Sequence, residues 1–251
     1  MKQRTDYSII TATYNAARFM ERAIASILGQ SYPHFEWIIQ DGGSTDGTLD
    51  ILARYPDRRI SLGSEPDTGV FAAWNKGVAR AAGEWCIFLG ADDMFINEHS
   101  LAKCHYHLKR MGPETSFAYA AMVRGHNLRI TETNNFALFD VYHRFSNRLG
   151  PPMPSLFIRT ALLRQSPFDE RYKISADFDF VARYYTGDNI ARIPVMAVYM
   201  EQGGLSSNPA QRDLMFAESR QILSERILPK AEAMMRACID HYYDRDDHLE
   251  E

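Results

Sequence analysis

Residues 7–47 read YSIITATYNAARFMERAIASILGQSYPHFEWIIQDGGSTDG, and the change of period inside this stretch decides the fold. YSIITAT is a short apolar run with the length of a buried strand. Over residues 16–30 the apolar positions Phe19, Met20, Ala23, Ile24, Ile27 and Leu28 then recur at helical spacing on one stripe. FEWIIQ, 35–40, is a second apolar strand, and it ends at Asp41. The residues that follow it, Gly42, Gly43, Ser44, Thr45, Asp46 and Gly47, are turn chemistry, with Ser44 or Thr45 placed to cap a helix running to about Tyr55. The same alternation carries on downstream. A third strand is expected over 59–63, a helix over 70–82 on the spacing of Val70, Phe71, Trp74 and Val78, and a fourth strand, WCIFL, over 85–89. Continuous apolar strands alternating with amphipathic helices imply a mostly parallel sheet covered on both faces. In such sheets ligands bind beyond the carboxyl ends of the strands, where Asp41 and the pair Asp92-Asp93 fall.

The second half is less regular. A helix is expected over 100–111, and a hairpin pairing 117–124 with 128–133 across Gly125-His126-Asn127. A strand is expected over 155–158, a helix over 177–185 and a strand over 194–200. Helical spacing over 209–243 is interrupted by Pro229, which predicts a break. Helices covering the sheet are the default reading of that last segment.

Bulk composition bounds the function. The chain has 251 residues, 45% hydrophobic and 24% charged, with a net charge of −4. That suits one large α/β domain and gives no electrostatic case for nucleic acid. Three cysteines, Cys86, Cys104 and Cys238, without CxxC spacing point to reduced thiols rather than a disulfide framework or a zinc site. No stretch approaches the ~18 apolar residues of a membrane span, so a cytoplasmic protein is expected. Peripheral contact with a membrane surface stays open, and oligomeric state is not set by the sequence.

Three acidic positions carry the chemistry. Adjacent carboxylates at Asp92-Asp93, straight after a strand, suit either a solvated strand end or a hard-cation site for Mg²⁺ or Mn²⁺. Asp41 is either a turn and cap residue or an acceptor for a base edge. Asp177 and Asp179, two apart on a helix, face apart. They are helix N-terminal acids, or one of them is a general base. His105 and His107 are also two apart and share no helix face. Neither G-x-G-x-x-G nor G-x-x-x-x-G-K-[ST] occurs.

Together these stretches resemble the family 2 glycosyltransferases, within them the enzymes of bacterial cell-surface polysaccharide synthesis. The resemblance runs through residues 8–52, through EPDTGVFAAWNKGVARAAGEWCIFLGADD at 65–93, through LFIRTALLRQSPFDERYKISADFDF at 156–180 and through GGLSS at 203–207. It implies a GT-A fold: a Rossmann-like, mostly parallel sheet flanked by helices. A catalytic domain would span 1–208, with a nucleotide-binding half at 1–93 and an acceptor-binding half at 94–208, followed by a helical extension at 209–251. It implies that Ala12, Thr13 and Tyr14 hold the nucleobase, that Asp41 bonds its edge, and that Asp67 and Lys76 approach the ribose and diphosphate. Asp92 would face the ribose or a metal-bound water, Asp93 would ligate Mg²⁺ or Mn²⁺, and Asp177 would be the base. The implied reaction is a single displacement from a nucleotide-sugar, UDP-sugars favoured, to a glycan or lipid-linked acceptor, with inversion. Four positions depart from the common pattern: Ala12 for Pro, Gly42 for a second Asp, Gly90 for the first acid of the metal motif, and Ala176 for the Glu before the base. The rival readings are a sugar-nucleotide pyrophosphorylase, which lacks its Gly-rich basic loop here, and a non-catalytic nucleotide- or glycan-binding module.

Overall fold

The computed structural model describes residues 5–134, 153–186, 188–204, 208–233 and 236. The first half follows the expected alternation. Strands β1 (Tyr7–Thr13), β2 (Phe35–Asp41), β3 (Ile60–Ser64) and β4 (Trp85–Phe88) are separated by helices α1 (Ala17–Leu28), α2 (Thr48–Ala53) and α3 (Val70–Arg80). β1 pairs parallel with both β2 and β4, bringing Thr13 opposite Asp41 and Ile10 opposite Phe88. The stripe on α1 buries Met20, Ala23, Ile24 and Ile27 against this sheet. The ends of β1, β2 and β4 therefore share one rim.

The second half adds β5 (Met94–Phe95), α4 (Ser100–Leu108), β6 (Phe117–His126), β7 (Arg129–Asn134), β8 (Leu156–Arg159), α5 (Thr160–Gln165), α6 (Ala176–Tyr184), β9 (Ile190–Glu201) and α7 (Arg212–Ile222). It continues the same sheet instead of starting another. The strand order is β3-β2-β1-β4-β8-β6-β9-β5, with β7 on β6, nine strands in all among the described residues. β8 joins β4 antiparallel, and β6 joins β8 antiparallel and β9 parallel. The core is continuous across the join, from Ile10 and Trp37 through Phe88 to Phe117, Phe157 and Phe180.

Several expected details shift. The hairpin turn lies at Asn127-Leu128, since His126 pairs with Arg129. Both turn residues have positive φ, 48° and 65°, the hand of a two-residue turn that matches strand twist. β9 begins four residues before its expected start. Pro194 lies inside it, where the register against β6 slips between Ala120 and Ala121, because proline cannot donate to the ladder. The helix cap expected at Ser44 or Thr45 is absent: α2 follows Gly47 in left-handed conformation, φ 92°, with no side-chain cap. Pro229 does not break the C-terminal helix. A π-helical turn over Leu223–Ile227 precedes it, and helix resumes through the proline to residue 233. The wider turn relaxes the clash that a proline ring makes with the carbonyl four residues back. Cys86 and Cys104 are buried thiols, pushed up to about 12 by burial, and Cys238 lies outside the described residues. No helix among the described residues is long and apolar enough to cross a membrane.

Candidate active site

Two loops at the rim are zipped together by the residues of the Asp-Gly-Gly-Ser-Thr-Asp-Gly run. Ser44 Oγ accepts the Asn15 N–H at 2.8 Å, and Asn15 Oδ1 accepts the Thr45 N–H at 2.9 Å. Asp46 and Thr48 accept the Ala17 and Ala16 N–H groups, both at 2.9 Å. These are donors at the start of α1 that its own turn cannot satisfy. Asn15 holds a left-handed φ of 49°, and the loop presents Tyr14 to solvent, 69% exposed.

Asp41 organises this zipper from beneath. It is fully buried, and its carboxylate accepts from Thr13 Oγ1 (3.0 Å), Ser44 Oγ (2.5 Å), Ser64 Oγ (2.8 Å) and the Gly43 and Ser44 N–H groups. Burial opposes its charge, but the hydrogen bonds from Ser44, Ser64 and Thr13 prevail and hold the carboxyl below the usual range. A base edge could bond Asp41 only by displacing one of these donors. Gly42 abuts Asp67: a Cβ there would stand 3.0 Å from the Asp67 carboxylate.

One cavity of about 620 Å³ opens beside the loops. Ala12, Tyr14 and Asn15 form one side, and Asp92 and Asp93 lie at the end of β4. Asp177 enters from α6, and Phe71, Trp74 and Phe88 form an apolar wall. Thus Ala12, Tyr14, Asp92, Asp93 and Asp177 are brought together. Thr13 turns inward to Asp41, and Asp41 itself, expected in the same cleft, is not part of the lining. Asp67 and Lys76 also lie outside it. Asp67 accepts the Gly69 N–H at 2.9 Å, and Lys76 pairs with Glu65 at 2.9 Å.

The two acids of the pair differ. Asp93 is buried, and each of its oxygens accepts a backbone N–H, from Gly90 at 3.0 Å and from Glu201 at 3.1 Å. Burial, then the charge of Asp92, pushes it up to about 7. Asp92 is partly exposed. Burial raises it too, with Glu201 adding. A Cβ on Gly90 would stand 2.6 Å from Asp92 Oδ1 and 2.9 Å from Asp93 Oδ2, so a side chain there would require the two carboxylates to shift. No group of three His, Cys, Asp or Glu side chains that could hold a cation occurs among the described residues. One or two carboxylates completed by phosphate oxygens is an ordinary set for Mg²⁺, and a hard oxygen set suits Mn²⁺ as well.

Asp177, in the first turn of α6, is pushed up to about 6 by burial, with Glu218 adding. Asp179 faces the other way, fully buried, and pairs with Arg183 at 2.8 Å and Arg226 at 3.0 Å. Sequence reasoning missed Glu201, Arg22 and Arg124. Glu201 is buried at the end of β9 and accepts from the Asn127 N–H at 2.6 Å and from Arg22 at 3.1 Å. Arg22 also donates to the Asp92 carbonyl at 2.5 Å. The sequence signal was an acid ending an apolar strand just before Gly203-Gly204. Arg22 and Arg124, isolated bases on a helix and a strand, gave none.

A parallel half-sheet with an acidic pair beyond its carboxyl rim, continued by mixed strands and by the helix that brings Asp177 to the same cavity, is the architecture of the GT-A class. Residues 8–171 match the family model described as glycosyl transferase family 2, and the chain belongs to that family; it is a glycosyltransferase. It is 31% identical over 216 residues to a PGL/p-HBAD biosynthesis glycosyltransferase of Mycobacterium tuberculosis, covering 83% of this chain and 82% of that protein. It is 37% identical over 120 residues to the putative teichuronic acid biosynthesis glycosyltransferase TuaG of Bacillus subtilis, covering 47% and 48%. In fold it is similar to residues 1–349 of S. aureus TarS in complex with UDP-GlcNAc, TM-score 0.71 at 20% identity, covering 91% of this chain and 69% of that one. It is also similar to a mannosyltransferase of Pyrobaculum calidifontis in complex with GDP-Man and Mn²⁺, TM-score 0.61 at 18% identity, covering 95% and 81%.

Proposed function

We propose that the protein transfers a sugar, with inversion, from a nucleoside-diphosphate-sugar to a hydroxyl of a glycan or lipid-linked acceptor in cell-surface glycan synthesis. The observation that carries this reading is the meeting of Asp177 and the Asp92-Asp93 pair on one cavity, from strands and helices far apart in the chain. Relatives named for PGL/p-HBAD biosynthesis and teichuronic acid biosynthesis support a role in cell-surface glycan synthesis. The TarS complex with UDP-GlcNAc supports a UDP-sugar, which Tyr14 would meet by stacking on the base.

In the reaction, Asp177 takes the proton of the acceptor hydroxyl. The acceptor oxygen bonds to the anomeric carbon, the bond from that carbon to the diphosphate breaks, and its electron pair leaves with the nucleoside diphosphate. Mg²⁺ or Mn²⁺, when bound, supplies Lewis-acid neutralisation of the departing diphosphate. We assign its contact to Asp92, which lines the cavity and is partly exposed, and give Asp93 the task of holding the loop. Arg22 and Glu201 fix Asp92 through its carbonyl and through the β9 amide bonded to Asp93. Phe71, Trp74 and Phe88 give the cavity an apolar wall.

The test is nucleoside diphosphate release from a panel of UDP-, GDP- and TDP-sugars with Mn²⁺. Asp177→Asn is expected to keep donor affinity and lose turnover by about 10²–10⁴. Near-normal turnover removes Asp177 from the base role. Consumption of sugar phosphate and nucleoside triphosphate would instead mark a pyrophosphorylase.

A further inference from the structure

The C-terminal helix buries Ile222 in the core and packs Leu223 and Ile227 against it. It grips α6, the helix that carries Asp177, at three places along its length. Where the chain enters α6, the buried Glu218 of α7 accepts three successive backbone N–H groups: Lys173 at 2.7 Å, Ile174 at 3.0 Å and Ser175 at 2.9 Å. Midway, Arg226 reaches the fully buried Asp179 at 3.0 Å. Where α6 ends, Lys230 Nζ donates to the carbonyls of Ala182 and Arg183, both at 2.9 Å. An anion at the amino end and a cation at the carboxyl end both oppose the α6 dipole favourably.

The grip at Glu218 bears directly on the site. Ile174 and Ser175, two of the three residues whose N–H groups it holds, line the cavity together with Asp177, and α7 itself contributes Met215 and Ser219 to that lining. Asp177 follows this pinned segment by two residues. Ordinary packing of a covering helix does not require three consecutive amides to converge on one buried carboxylate. A carboxylate in that setting is costly to bury unless its bonds are made, and here they are made to the backbone that aims the base.

We propose that α7 is part of the catalytic apparatus, with Glu218 as the positioning residue that fixes Asp177 against the acceptor. The inference rests on the reading of Asp177 as the base. Glu218 acts mainly through geometry; its charge adds a small upward push on the Asp177 carboxyl, far behind burial. The charged groups sharing its cavity are Asp92 and Asp93 from the end of β4, Arg124 from β6 and Glu201 from β9.

The experiment uses the full chain, with Glu218→Gln, Glu218→Asp and Asp177→Asn measured at saturating donor and Mn²⁺. Glu218→Gln is expected to lower kcat about ten- to a hundred-fold, while UDP affinity and donor KM stay within about twofold. The acid limb of its kcat–pH profile moves to lower pH, since loss of a nearby negative charge favours the ionised base. Glu218→Asp keeps the charge but shortens the reach, so it lowers kcat without moving the limb. An unchanged kcat, a loss carried by KM alone, or an acid limb unmoved in Glu218→Gln overturns the proposal. Turnover retained by Asp177→Asn removes the base and this inference together. An inert Asp177→Asn beside an unaffected Glu218→Gln leaves the base standing and sinks only the positioning role. If Glu218→Gln does not fold, amide exchange of the wild type decides: slow exchange at residues 173–175 supports the clamp, and exchange at solvent rate overturns it.

Discussion

Asp92 and Asp93 are adjacent in the chain and opposite in their bonding, and mutation separates them. Asp93 carries the N–H groups of Gly90 and Glu201. Asp93→Asn keeps one acceptor and loses the other, so a buried N–H is left short at a cost of about 1–3 kcal/mol. A lowered melting temperature with Mn²⁺-dependent UDP binding largely retained in the folded fraction is the expected outcome. Asp92→Asn should do the reverse: stability near wild type and Mn²⁺-dependent UDP affinity weakened about tenfold or more, read by calorimetry with and without the cation. Asp177 makes a pH prediction. Its carboxyl, pushed up to about 6, cannot take a proton below that value, so kcat at saturating donor and Mn²⁺ falls about tenfold per pH unit under pH 6. The same shift has a stability sign. A folded-state pKa above the unfolded one stabilises at low pH, and that contribution is lost as pH rises through about 6. Asp177→Asn is therefore expected to be more stable than wild type at pH 8, by about 1–2 kcal/mol after allowing for its partial exposure, with no gain at pH 4. Equal melting temperatures at pH 8 would contradict this. Asp92 and Asp93 stood out in the sequence because acids beyond an apolar strand are conspicuous, whereas Asp177 was singled out from Asp179 only by the family resemblance. The different bonding of Asp92 and Asp93 was not legible there, since it depends on which backbone amides the fold brings to each oxygen.

At the scale of elements, the parallel half was legible and the reasons are local. Each strand there is a short apolar run, and each helix has a stripe that the sheet buries. The close fit of α3 on β1 depends on Gly77, whose added Cβ would come within 2.7 Å of the Ile10 side chain. Gly77→Ala improves helix propensity, but overpacking against a fully buried isoleucine outweighs it. A net loss of about 1–2 kcal/mol is expected in urea unfolding, with UDP affinity unchanged in the folded protein. A neutral or stabilising result would mean the helix can lift off the strand freely. The antiparallel half was read less well for reasons that are not local. β5 is two residues long and exists through its pairing with β9. β9 runs through Pro194 by slipping its register, and the C-terminal helix absorbs Pro229 with a π-turn. The Ser44–Thr48 run looked like a helix cap because those residues are good caps. They bind the neighbouring loop instead, and that loop is brought near only when β1 and β2 pair.

For the whole molecule, sequence suggested a nucleotide-binding half, an acceptor-binding half and a helical extension. We propose that these are divisions of function and not of folding. The sheet passes from β4 to β8 to β6 without an edge between the halves. Phe88 packs on Phe168, and Phe168 on Phe180, so the aromatic core crosses the same line. The extension is tied in by the buried Asp179, which it shares with Arg183, and by Glu218. Detaching it would leave a buried charge with half its partners and three amides with none. Such couplings predict one cooperative unfolding transition. The three tryptophans, Trp37, Trp74 and Trp85, all lie in the nucleotide-binding half, whereas far-ultraviolet circular dichroism weights every helix, including α6 and α7. Their urea transitions should coincide in midpoint and in slope. If ellipticity were lost at lower urea than tryptophan fluorescence changed, α6 and α7 would be melting from a still folded sheet. Asp177 would then sit on an element that opens independently of the donor site, so the midpoint of activity loss would follow the earlier transition.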